Sequence, residues 1–527
     1  VIRQALARKA PLGAKVSSER PLPAPVLGWN VRDALASMKP GYANILTNWL
    51  PLSNECMLRR GSLDHATGMS GAVRSLLVYS PPSGSDKMFS AVGANIYATS
   101  VSGPVGGAVV TALNSADFQH KNFTTPGGNF MYACNGLDKP LLYDGTIWVS
   151  VNGASTPAIT GVVTSTLESV HVHMHRLWFV QKGTLDAWYL PLDSVGGAAA
   201  KFPLGGLFGK GGYLVKMESW TVDGGTGSDD LAVFITSKGQ VAVYRGTDPA
   251  TAATWALVGV YDLAPPIGGK LCCGKLGNDL MINTEDGLVP MSKSLLQSRS
   301  NKALAISDRI SGALSAAAST YGSSFGWQVI FVPLEPASIL LVNVPVAPGL
   351  QEQYVMNTQT GAWAPFSGWP ANCWAVANGE LYFGENGKVR KAWTGRNDNG
   401  SNIVGRMLLA FDYLEDREGK KTVRMVRPVL KWDSNPAQFK IGINVDFDLN
   451  TLPLNEVNFA PGTAAQWDAG YQWDNGALWG GDLEVKSQWT DSGAEGWAIA
   501  PYLEVTSRSS DVRVVAFDVS YESGGVL

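Results

Sequence analysis

Charge is scarce in this chain. Asp, Glu, Lys and Arg make up 16% of its 527 residues, against a usual share of about 25%. That scarcity excludes a charge-rich disordered protein and long solvent-exposed helices. Positive charge is not in excess either: the net charge is −3, which excludes a chain whose average charge holds nucleic acid nonspecifically. Cysteine is sparse, with Cys56, Cys134, Cys272, Cys273 and Cys373 forming no ladder. The odd count and the adjacent pair argue against a secreted disulfide scaffold and predict free, mostly buried thiols made in a reducing compartment. Long apolar runs are lacking as well. The longest, Trp327 to Leu350, is broken by Pro333, Glu335, Pro336, Pro345 and Pro348, so no membrane span is expected. The basic start (Arg3, Arg8, Lys9, Lys15, Arg20) has no apolar core behind it. It reads as a loosely ordered arm rather than a secretory signal, although an acid-poor start also mimics an organelle transit peptide.

What is plentiful points to β structure. The chain has 59 Gly and 29 Pro for turns, and 18 Trp and 16 Tyr for strands and stacked surfaces. Length alone suggests about three or four domains, fewer if one is a large all-β unit. Residues 1–75 read as a basic arm followed by strands leading into a platform. Within them Val31–Met38 is expected as a short helix stopped at Pro40-Gly41.

From 76 to 399 one pattern recurs: an apolar strand, a glycine turn and a second apolar strand. It appears around Met88…Tyr97, Phe130…Trp148, Leu177…Trp188, Leu231…Tyr244, Leu280…Val289, Ile339…Trp363 and Leu381…Trp393. Spacings of about 40 to 60 residues suit β-propeller blades, and seven instances predict six to eight blades. Irregular hairpins in a sandwich array are the competing arrangement. One helix, about 304–321, is expected as an insertion, with Ser307 as its N-cap and Ile310, Leu314 and Ala317 or Ala318 on one face. Beyond Asp398-Asn-Gly400 the alternation sharpens at Phe439, Ile441, Ile443, Val445 and Phe447, and at Val515, Phe517, Val519 and Tyr521. Residues 400–527 therefore read as a β-sandwich-like platform domain. The fold class expected is all-β, a propeller with an attached platform and one inserted helix.

Candidate chemistry is thin. His171, His173 and His175 share one face if extended, but alternate positions about 6.5–7 Å apart strain a tetrahedral metal site. Gly322-Ser-Ser324-Phe-Gly326 spells a hydrolase string in the wrong context, after a helix and before a strand. Gly205-Gly-Leu-Phe-Gly-Lys210 misses the phosphate-loop spacing at Leu204 and Gly211. Asp446-Phe-Asp448-Leu-Asn450 starts like a calcium loop, but Thr451 and Val457 stand where Gly and Glu are needed, so it reads as a solvated strand face. Asn122-Phe-Thr124 and Asn399-Gly-Ser401 are glycosylation sequons. Arg417, Lys420, Lys421, Arg424, Arg427 and Lys431, beside Glu415, Asp416 and Glu418, read as a mixed-charge hairpin, with phosphate or acidic-partner contact as the alternative. Trp467, Trp473 and Trp479 among turn residues suit a subunit interface, a packed loop or a sugar groove. No catalytic, cofactor-binding or metal site is expected, and interaction rather than turnover is where the composition points.

Several strings carry a resemblance. They are Leu27-Gly-Trp-Asn-Val-Arg-Asp33-Ala-Leu, Asn48-Trp-Leu-Pro51, Arg59-Arg-Gly61, Arg176-Leu-Trp-Phe-Val180, Tyr354-Val-Met-Asn-Thr-Gln-Thr-Gly-Ala-Trp363, Phe366-Ser-Gly-Trp369 and Leu381-Tyr-Phe-Gly384. Over roughly residues 27 to 400 the chain resembles tail nozzle proteins, the tail tubular protein B type, of short-tailed bacteriophages. The resemblance implies a propeller with a β platform, a virion tail protein assembled in the bacterial host cytoplasm, and a homo-oligomer, a hexamer. That ring would sit below the portal and the head-to-tail adaptor, with tail fibres or spikes docked outside. Double-stranded DNA would pass through its lumen without sequence-specific binding. No enzyme activity and no cofactor are implied. A glycan-binding (lectin-like) or glycan-cleaving propeller tail protein is the alternative.

Overall fold

The computed structural model describes residues 17–223, 228–294, 305–347, 349–433, 435–450, 454–459 and 483–524. The described residues form an all-β fold of two parts, a propeller and a two-sheet platform. The seven apolar hairpins read from the sequence mark seven blades; five lie in separate sheets, and the first and last share one sheet through the strand Ser62–Tyr79. Blade 1 holds Val73–Tyr79, Lys87–Val92 and Asn95–Ala98, with Val110 bridging Ile96. Blade 2 runs from Gln119–Thr125 to Trp148–Ser150, blade 3 from Leu167–His173 to Ala200–Pro203, and blade 4 from Leu214–Asp223 to Trp255–Asp262. Blade 5 has three strands, Cys273–Leu276, Asp279–Thr284 and Gly287–Pro290; blade 6 has four, Gln328–Val332 to Trp363–Phe366. The first strands of successive blades touch one another around the ring, except that Leu214–Asp223 of blade 4 meets blade 5 through Asp279–Thr284 and the turn Gly269–Leu271.

Ring closure comes from the strand Ser62–Tyr79, which serves two blades. Its second half starts blade 1, where Val73 pairs with Val92. Its first half is the outer strand of blade 7, pairing Ser62 with Ala392 and Ala72 with Asn386, beside Glu380–Gly384 and Cys373–Ala377. The propeller thus begins at Ser62, within the segment read as arm and platform. Gly68 and Gly71 interrupt the alternation there, and register shifts at 386–388 and 389–390 follow the bulge. Gly61 leads into the closing strand. A Cβ there would sit 1.8 Å from the Asn397 carbonyl oxygen, which is backbone and cannot yield. Gly61→Ala is expected to destabilise the chain by at least about 1–3 kcal/mol, read as a lower chemical-denaturation midpoint with the earliest hydrogen exchange in the strand after Ser62.

The platform is built from both ends of the chain. One sheet combines Ser18–Pro23, Trp49–Pro51 and Cys56–Leu58 with Lys421–Trp432, Val512–Ser523 and three short strands. The other combines Gly28–Trp29 and Tyr42–Thr47 with Ile403–Leu409, Ala437–Val445, Asn455–Glu456 and Ile499–Ser507. Their facing side chains, among them Leu46, Trp49, Val426, Ile441, Leu503 and Phe517, share one core with Phe366, Trp369 and Phe383 of blades 6 and 7. Burial of this continuous apolar layer is the main force joining the two parts.

Three local readings change. Val31–Met38 makes only a 3₁₀ turn, Leu35–Ser37. The inserted helix is a 3₁₀ turn at Asp308–Ile310 followed by an α-helix at Ser311–Tyr321; Ile310, Leu314, Ala317 and Ala318 are buried. Ser307 makes no side-chain cap; its hydroxyl accepts the Leu288 N–H at 2.9 Å. Val515 does not share the inner face with Phe517 and Val519. A bulge opposite Val429–Leu430 leaves it without a partner on that strand, and Val512 and Val514 face inward before the bulge instead.

Candidate functional site

Three of the resemblance strings meet in one place. Arg59, whose side chain is 1% exposed, lies at the joint between propeller and platform. Its Nε donates to Asn48 Oδ1 at 2.9 Å, its Nη1 to the Arg60 carbonyl at 2.9 Å, and its Nη2 to the Ser367 carbonyl at 2.6 Å. The same guanidinium forks onto Asp398, with Nη2–Oδ2 at 2.6 Å and Nη1–Oδ1 at 3.1 Å, and lies 4.5 Å from the Trp369 ring centroid. Trp369 Nε1 donates to Asp398 Oδ1 at 3.0 Å. Asn48, at φ 64°, spans the joint: Nδ2 donates to the Val404 carbonyl and Oδ1 accepts the Ser367 N–H. Gly368, at φ +93°, allows the approach, since a Cβ there would lie 2.9 Å from Arg59 Nη2. Arginine suits this place because five fixed donors serve several acceptors at once. A second clasp holds the inserted helix. Asn30 Nδ2 and Arg309 Nη1 donate to Asp33 Oδ2, and Arg32 is paired with Asp308.

The second feature is the propeller axis. First strands of blades 1, 2, 4, 5, 6 and 7 line a cavity of about 450 Å³. A second cavity of about 560 Å³ adjoins it, with Arg74, Ser75, Phe118 and Leu271 lining both. Among the described residues, six cationic side chains (Arg74, Lys121, Lys182, Lys216, Lys270, Lys275) and three carboxylates (Asp117, Glu168, Glu218) line the two. Lys216 and Glu218 alternate on the strand Leu214–Asp223 and so face one side. Glu218 lies 2.9 Å from Lys216 Nζ, 3.7 Å from Lys121 Nζ and 3.2 Å from His171 Nδ1. Burial alone would raise the Glu218 carboxyl; its contacts with His171, Lys216 and Lys121 outweigh that and hold the group well below the carboxylate range. Lys216 is likewise held ionised by Glu218 against its burial, whereas burial lowers Lys121. Cys272 and Cys273, 3.3 Å apart at sulfur, pack behind Lys216; all five cysteines are free and buried.

The expected histidine row is split. His171 and His173 are buried at the end of blade 3's first strand, both on Ser219 Oγ at 2.9 and 2.8 Å. The Ser219 N–H donates to His171 Nε2, which fixes that nitrogen as an acceptor. Burial pushes His171 down to about 3 and His173 to about 4, so both are neutral at pH 7. His175 lies beyond the strand end at φ 55°, 76% exposed, beside Asp193. Among the described residues no group of three or more potential ligands is placed to hold a metal ion, and no helix is long and apolar enough to cross a membrane.

The other candidates separate. Ser324 sits in the loop before blade 6, where Phe325 lies 3.8 Å under the Arg74 guanidinium. Gly205–Leu207 is a 3₁₀ turn. Asp446 and Asp448 are exposed but lie beyond the strand, which ends at Val445: Asp446 turns at φ 49°, and its Oδ1 accepts the Trp497 and Ala498 N–H groups. The basic cluster is not a hairpin: Lys421–Trp432 is one strand, on which Arg424 pairs with Glu522, Arg427 with Asp518 and Lys431 with Glu55, while Lys420 just before it pairs with Glu495. Lys421 is wholly buried on the Asp416 and Trp497 carbonyls. Asn122 ties blade 2 to blade 1 through the Val78 carbonyl, and Asn399 is exposed. Trp467, Trp473, Trp479 and the basic residues before Ser17 lie outside the described residues.

No family model matches the chain, and no curated protein matches its sequence. Among solved structures it is similar to BBS1N in complex with ARL6DN (10% identity, 64% of this chain and 98% of that one, TM-score 0.41). It is also similar to the Cps50 (Swd1) β-propeller domain of Myceliophteria thermophila (12%, 62% and 99%, TM-score 0.37). A third is the SapL1 lectin in complex with α-methyl fucoside (13%, 57% and 96%, TM-score 0.28).

Proposed function

We propose that this chain is a structural subunit of a short-tailed phage's tail nozzle, a homo-hexameric ring below the head-to-tail adaptor. One observation carries the reading. Asn48-Trp-Leu-Pro51, Arg59-Arg-Gly61 and Phe366-Ser-Gly-Trp369, far apart along the chain, are parts of one buried network between propeller and platform. Such a joint suits a part that works by holding shape while DNA passes, because a buried fork resists hinge motion. A net charge of −3 leaves the passing duplex few fixed contacts on average. In this reading the protein catalyses nothing, carries fibres or spikes on its outer wall, and is assembled in the host cytoplasm, where buried free thiols stay reduced. The test is co-sedimentation of the purified chain with the portal–adaptor complex of the same genome, beside a glycan-binding and hydrolysis screen. Stoichiometric migration with that complex and no glycan activity is the expected result. A chain that ignores the complex and binds or cleaves glycans would replace this reading with the lectin-like or glycan-cleaving one.

A further inference from the structure

We propose that the axial cavity of the propeller binds a small multivalent oxyanion of the phosphate class between Lys121, Lys216 and Lys275. These three lysines come from three blades and line one cavity of about 450 Å³, room for such an anion with its waters. Glu218 is the only carboxylate lining that cavity among the described residues, and Lys216, Lys121 and His171 already surround it. Arg74 is satisfied elsewhere: it forks onto Asp117 at 2.8 and 2.9 Å and lies on the Phe325 ring. The side chain of Lys275 has no ion-pair or hydrogen-bond partner among the described residues. One carboxylate against three ammonium groups leaves two positive charges uncompensated at this cavity, with Lys275 at its exposed side, although the whole chain is net negative. Mutual repulsion there is felt: Lys216 and Lys275 both oppose the charge on Lys121. A single divalent anion neutralises both excess charges, and each ammonium brings three rotatable donors that adapt to tetrahedral oxygens. A monovalent ion leaves half the excess in place.

Isothermal titration of the full chain tests this, with inorganic phosphate in one arm and a nucleoside monophosphate in the other, both against chloride at equal ionic strength. Submillimolar concentrations keep general salt stabilisation out of the readout. Saturable heat with phosphate is expected. Matching heat with the nucleotide assigns the ligand as a phosphoryl group carried on a larger molecule, and phosphate alone assigns the free ion. Lys275→Ala and Lys275→Met remove an exposed, unpartnered ammonium and should keep the melting temperature in chloride. Each should weaken binding roughly tenfold, the loss of one charge-assisted contact. Lys39→Ala, on the platform surface, should bind as the parent does. No phosphate heat in the parent chain, or equal heat in both Lys275 variants, would overturn the site.

Discussion

Arg59→Met is expected to cost about 3–5 kcal/mol of stability, the penalty for breaking a buried pair by removing one partner. Methionine keeps the aliphatic stem against Trp369, so the loss isolates the guanidinium. Asp398, only 10% exposed at its side chain, would keep the Trp369 Nε1–H and the Ser62 hydroxyl but no opposite charge. The Ser367 carbonyl and Asn48 Oδ1 would each lose a donor as well. Arg59→Lys should recover only part of the loss, because an ammonium cannot fork onto Asp398 while also reaching Ser367 and Asn48. Arg406→Ala is the control: its pair with Glu504 is 53% exposed on the arginine side, and removing it should cost no more than about 1 kcal/mol. Denaturant midpoints rank the three, and hydrogen exchange locates the damage. Earliest exposure should fall at the seam where Ser62–Tyr79 pairs with Asn386–Ala392. Equal midpoints for Arg59→Met and Arg406→Ala would show that the joint is held by apolar burial alone.

Acidification is expected to have the next largest effect. His171 and His173 are buried as neutral rings and titrate near 3 and 4, below the ordinary value of 6.5. Between those values and 6.5 the unfolded chain binds protons that the folded chain refuses. Stability is therefore full above about pH 6.5 and falls as the pH drops towards 4, by about 1.4 kcal/mol per pH unit for each histidine. Glu218, held below its ordinary range, extends the loss further into acid, since its stabilisation is complete above the unfolded carboxyl value and is lost progressively below it. Urea titrations at pH 7.5, 6.0 and 5.0 read the slope. His171→Gln should remove about 1.4 kcal/mol per pH unit of it, even though the variant is less stable at pH 7.5. A stability that is flat from pH 7.5 to 5.0 would mean that these rings reach solvent in the folded state.

The two features behind these predictions differ in how plainly they stand in the sequence. Each blade's central hairpin is legible because its two apolar strands and glycine turn are contiguous, as in Leu231…Tyr244. Ring closure is not, because the strand Ser62–Ala72 pairs with residues more than 300 positions away and its own pattern is broken by glycines. The buried joint is legible by half. Asn48, Arg59 and Trp369 stand in strings that carry the resemblance, whereas Asp398 sits in an Asp-Asn-Gly turn whose composition reads as a boundary. Nothing local distinguishes a linker aspartate from one that accepts a buried arginine. The axial cluster is built from three blades, so only Lys216 and Glu218 leave a trace: two charges at alternate positions among Leu214, Val215, Met217 and Trp220. The histidines mislead for a related reason. Equal spacing implies one face, but the chain turns after His173 and sends His175 to solvent.

Negative-stain electron microscopy of the purified chain, mixed with the portal–adaptor complex of the same genome, tests the central proposal most directly. Sixfold rings capping the adaptor, each subunit showing a propeller beside a platform, are the predicted result. Bare adaptors with free monomers around them would contradict it.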